Sequence, residues 1–84
     1  MEVQIWPSGI ARLADGILEV TTSDVRVALG DILEVGSKPP RLGHLSLTLK
    51  YRQGLETISM SRGVEQEHGD ALRSLVETVE AAHR

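Results

Sequence analysis

The chain has 84 residues, 40% of them hydrophobic and 25% charged, with a formal net charge of −3. That length holds one domain, 1–84, and the composition is that of a globular protein, not a disordered tail. The absence of cysteine excludes disulfides, thiolate catalysis and zinc–thiolate sites.

Aromatic residues are limited to Trp6 and Tyr51. The core must therefore be built from Leu, Ile and Val. No platform for stacking bases exists, so no nucleic-acid partner is expected. The opening "MEVQIWPSG" is acidic and interrupted by Pro7, unlike a signal peptide. No apolar run approaches the roughly 18 residues that span a bilayer. The expectation is a cytoplasmic domain.

Up to about Ser61 the apolar residues recur with period two, and beyond it with period 3.6. "GIARLAD" sets Ala11 and Leu13 on one face, with Val3 and Ile5 extending it upstream across a bend at Pro7–Gly9. Asp15–Gly16 is a two-residue hairpin signal, because glycine takes the positive φ such a turn demands. "ILEVTT" then points Leu18 and Val20 inward. After Ser23–Asp24, "VRVAL" does the same with Val25, Val27 and Leu29. Gly30–Asp31 turns the chain into "ILEV", where alternation places Leu33 and Val35 on one face and Ile32 and Glu34 on the other.

"GSKPPRLG", residues 36–43, reads as a loop, since tandem Pro39–Pro40 lacks two amide donors. Its "KPPR" is a rigid corner more than a polyproline ligand. "HLSLTLKYR" has the clearest alternation, with Leu45, Leu47 and Leu49 facing in. "QG" at 53–54 leads to "LETISMS", with Ile58 and Met60 inward. In "DALRSLVETVEAAH", Leu72, Leu75, Val76 and Val79 fall at i, i+3, i+4 and i+7, the stripe of an amphipathic helix. Asp70 is the expected N-cap. Glu80 and Arg84 form an i,i+4 pair, and His83 suits the carboxyl end of the dipole.

Six short strands and one closing helix follow the order of a pleckstrin-homology-like (PH-like) barrel. "GIARLADGILEVTTSDVRVALGDILEV", "GHLSLTLKYRQG", "LETISMS" and the terminal helix resemble the short bacterial PH-type modules over Gly9 to His83. Within them "GDILEV" resembles the family's strand entry through an Asp–Ile step, and "ALRSLVETVEAAH" its closing helix. The resemblance implies a mainly β fold with one α-helix: an open barrel of about six to seven antiparallel strands capped by the C-terminal helix. It also implies a non-catalytic module for protein interaction or self-association, with a protein partner or a second copy docking on an edge strand or beside the helix. Inositol-phosphate binding in such domains needs a basic first hairpin loop. Here that loop is "LADGIL", with one acid and no base, so the activity is not carried over.

No enzyme is expected. Ser46, Ser59 and Ser61 lack a G-x-S-x-G elbow, no phosphate-cradling glycine loop is present, and His44, His68 and His83 have no short ligand spacing. Neither a metal nor a cofactor is implied. The sharper feature is a basic island between acidic flanks: Lys38, Arg41, Lys50, Arg52 and Arg62 against Glu56 alone over residues 38–62. Lys50 and Arg52 project from the outer face of one strand, and Lys38 and Arg41 belong to the loop at its opposite end, so the four need not converge. A solubilising exterior accounts for them. The functional alternative is a weak contact to an anionic membrane surface or acidic partner through segment 38–52.

Overall fold

In the computed structural model, which describes residues 1–41 and 43–83 (side chains of residues 39–41 excepted), the chain forms seven strands and one terminal helix. Strands β1 (Glu2–Gln4), β2 (Ile10–Ala14), β3 (Ile17–Val20) and β4 (Val25–Ala28) make an antiparallel sheet in the order β1-β2-β3-β4. A 3-10 turn, Leu29–Asp31, leads to β5 (Ile32–Arg41), β6 (His44–Gln53) and β7 (Glu56–Glu65), an antiparallel sheet in the order β5-β6-β7. A second 3-10 turn, Gln66–His68, feeds α1 (Gly69–Ala82).

The tight turns lie where their residues demand them. Asp15 and Gly16 adopt φ of 55° and 75°, joining β2 to β3 with Ala14 opposite Ile17. Val3 and Ile5 do not prolong β2. They belong to a separate pass that pairs back on it, Val3 opposite Ala11, after a bend closed by Ile5 N–H donating to Gly9 O at 2.9 Å. Gly9 has φ of +97°, and any Cβ there would collide with Thr22 Cγ2.

The two sheets face one another across a core without buried polar residues among those described. Ala11, Leu13, Leu18, Val20 and Val27 enter from the first sheet, and Leu47, Leu49, Tyr51 and Val64 from the second. Nine of the fourteen expected inner residues are buried; Val25, Leu29, Leu45, Ile58 and Met60 are half-buried against the core. Among the described residues the sheets share no continuous ladder. One isolated bridge, Trp6 opposite Gly63, joins them, with Trp6 N–H donating to Gly63 O at 2.8 Å.

Helix α1 packs on β1 and β7 as well as β5, so it spans both sheets. Leu72, Leu75, Val76 and Val79 are all buried. A fourteen-residue helix is marginal alone in water, so these side chains hold it, each contributing roughly 1.5–3 kcal/mol by burial. Asp70 is not its N-cap. That place falls to His68, with no side-chain cap, because Gly69 N–H is already satisfied by Gln66 O in the preceding 3-10 turn. Asp70 sits in the first turn and pairs with Arg73 at 3.3 Å. Arg84 lies outside the described residues, and with it the expected Glu80–Arg84 pair. Among the described residues no helix is long and apolar enough to cross a membrane.

Two expectations for β5 are corrected. First, strict alternation fails at its start: Ile32 is buried and Leu33 is 42% exposed. The register shifts between Ile32, opposite Tyr51, and Glu34, opposite Lys50, so Leu33 is the extra residue of a β-bulge. The bulge resets the phase and lets both Ile32 and Val35 face the core. Second, 36–41 is strand, not loop. β5 lies at the edge of its sheet, where a proline's missing donor leaves no central ladder bond unmade, and its pairing is irregular between Lys38 and Arg41.

Candidate functional site

The continuation of β5 through residue 41 changes the geometry of the basic island. Lys38 stands opposite Ser46, Gly36 opposite Thr48, and Glu34 opposite Lys50. All these positions share the outer face of the second sheet. Lys38 and Lys50 therefore line one open depression of about 450 Å³, with Glu34, Thr48, Ser59 and Ser61. They flank it about 13 Å apart, the length of four strand residues. Neither lysine forms an ion pair among the described residues. The other two members of the island lie elsewhere. Arg52 lines a separate hollow of about 330 Å³ with Asp24, Arg26 and Asp31. Arg41 is at the far end of β5, its backbone opposite His44, and its side chain is outside the described set.

A second concavity, about 370 Å³, runs between β5 and the last turn of α1. Its floor and walls are Ile32, Leu33, Val35 and Val79, and its rim carries Glu34, Glu80 and His83. Two features of β5 make it. The strand is at a sheet edge, with β6 on one side and no ladder partner on the other among the described residues. The bulge turns Leu33 outward into the groove instead of into the core. The sequence marks the edge only through Pro39–Pro40, and it does not mark the bulge.

A third grouping is not apparent from residue spacing. Glu65 ends β7, and the 3-10 turn carries Glu67 and His68 round to it, so that one ligand atom from each lies within 4.8 Å of the others. His68 Nε2 is 3.7 Å from Glu67 Oε1. The Glu65 carboxyl titrates above its ordinary range, first because it shares a hydrogen bond with Glu67, then through desolvation and the Glu67 charge. His44 faces Glu65 across the β6–β7 pair, and its ring stacks on Trp6 with centroids 4.1 Å apart. Of the three histidines, His68 joins the two carboxylates and His44 stands across the ladder from Glu65, whereas His83 lies at the opposite end of α1.

No protein-family model, curated protein or solved structure matches this chain.

Proposed function

We propose that this chain is a non-catalytic protein-interaction module of PH-like fold, and that β5 beside α1 is its docking strand. The fold reading is supported by four strands, then three, then a helix laid across both sheets, the order of an open PH-like barrel. One observation carries the functional reading: an edge strand with an outward Leu33 forms an apolar groove with the helix α1. Such an edge accepts an extended segment by main-chain hydrogen bonds, and a neighbouring groove selects its side chains. Glu34 and Glu80 on the rim favour a segment with an apolar residue flanked by lysine or arginine.

The test is selection from a displayed library of random extended peptides, followed by binding to Leu33→Glu, Val35→Pro and the parent chain. Enrichment of apolar–basic sequences that both substitutions defeat supports the reading. Sequences bound equally by all three chains refute it. Light scattering over a concentration series separates a second copy from a different protein as the occupant.

The alternative, an anionic contact through segment 38–52, gains from the proximity of Lys38 and Lys50 to Thr48, Ser59 and Ser61 in one depression. On this reading the contact is a phosphate-bearing surface met by two lysines, with hydroxyl donors between them. Sedimentation with anionic vesicles at low salt, lost in Lys38→Glu with Lys50→Glu, favours it over the peptide mode; equal sedimentation of parent and variant rules it out.

A further inference from the structure

We propose that Glu65, Glu67 and His68 form a surface site for a divalent transition-metal ion, with water completing the coordination. The three donors come from a rigid frame. Glu65 follows the fully buried Val64 at the end of β7, and His68 immediately precedes a helix anchored by Leu72 and Leu75. Between these fixed points the 3-10 turn allows the chain little freedom, so the donors gather without the entropy cost of closing a long loop.

The donor chemistry selects the ion. An imidazole with two carboxylates is the kind of nitrogen–oxygen donor set from which three-ligand zinc sites keep a position open to water. Calcium and magnesium prefer oxygen alone, and a nitrogen donor turns the preference toward zinc, nickel or copper. The donor atoms all lie within 4.8 Å of one another, and His68 Nε2 is 3.7 Å from Glu67 Oε1, against about 3.3 Å between ligands around a tetrahedral ion with bonds of about 2 Å. Glu67 and His68 are long enough and exposed enough to close that difference by rotation, their side chains being 69% and 30% accessible. A cation would also relieve the repulsion between the two carboxylates. The positive end of α1 opposes it, which two negative ligands outweigh.

The molecule carries its own reporter. Trp6 is the sole tryptophan, 47% exposed, and it stacks on His44, the residue across the ladder from Glu65. An ion held by Glu65 alters the charge beside that ring pair.

The experiment is a titration of the untagged chain with zinc chloride, read by Trp6 emission and by calorimetry, on the parent and on His68→Ala, Glu67→Gln and His83→Ala. The expected result is saturable one-to-one binding, weakened about tenfold or more in His68→Ala and Glu67→Gln, unchanged in His83→Ala, and not displaced by excess magnesium. The substituted side chains are not fully buried, and circular dichroism verifies that each variant folds. Three results overturn the proposal: no saturation by about 1 mM zinc, equal competition by magnesium, or a loss in His83→Ala as large as in His68→Ala.

Discussion

Arg62 on β7 donates from Nε to Ser23 Oγ in the β3–β4 turn at 2.7 Å, tying the second sheet to the first. Its Nη2 donates to the same oxygen, and Nη1 donates to Ser61 O at 2.7 Å. Arg62 lies opposite the buried Leu47, so its stem leaves the inner face and its head reaches the rim of the gap. The bridge at Trp6–Gly63 fastens the sheets through main chain; Arg62–Ser23 fastens them through side chains.

Arg62→Ala should therefore lower stability by about 1 kcal/mol, the usual net worth of a partly buried hydrogen bond. Urea denaturation checks this, with a shifted midpoint and an unchanged slope. In a double-mutant cycle with Ser23→Ala the two losses should be less than additive, since each removes the same contact. Strict additivity would mean that the pair does not hold in solution.

The bulge in β5 makes an opposite pair of expectations for adjacent residues. Ile32→Ala should cost about 2–5 kcal/mol, as a buried aliphatic truncated in a core. Leu33→Ser should stay within about 0.5 kcal/mol, as a surface change. Thermal and chemical melts of the two variants read this directly. Were alternation unbroken, with Leu33 inward and Ile32 outward, the order would reverse.

Much of the fold is legible in the residues themselves. Leu45, Leu47 and Leu49, and the stripe Leu72, Leu75, Val76 and Val79, each follow one period without interruption, and each packs where that period directs it. Leu33 is not legible. One inserted residue leaves the local pattern of β5 plausible either way, and only pairing with Tyr51 and Lys50 reveals the slip. Pro39–Pro40 misleads for a related reason: proline excludes a central strand, and whether a strand is central depends on its neighbours, not on itself. Reading those prolines as a loop conceals that Lys38 and Lys50 line one depression. The Glu65–Glu67–His68 cluster is hidden because strand alternation sets Glu65 apart from the residues after it, and a 3-10 turn brings the chain back.

The raised pKa of Glu65 gives a signed pH effect. Its folded state binds a proton more tightly than the unfolded chain, mainly because protonation lets it share a hydrogen bond with Glu67. The stabilisation is thus present below the ordinary carboxylate value and is lost as pH rises through the raised folded value. Denaturation midpoints measured across the acidic range, with chelator present, should show the parent losing stability relative to Glu65→Gln as pH rises. A relative gain on rising pH would show that the two carboxyls do not interact in this sense.

The functional reading rests on β5 offering an unfilled edge beside α1, and amide hydrogen exchange addresses that edge residue by residue. With a selected apolar–basic peptide bound, new protection is expected within residues 33–37 of β5, together with changed exchange from Val79 to His83, where Val79, Glu80 and His83 line the groove. Protection confined to the face of Lys38, Lys50, Ser59 and Ser61, with β5 exchanging as in the free chain, would mean that β5 is not the docking strand.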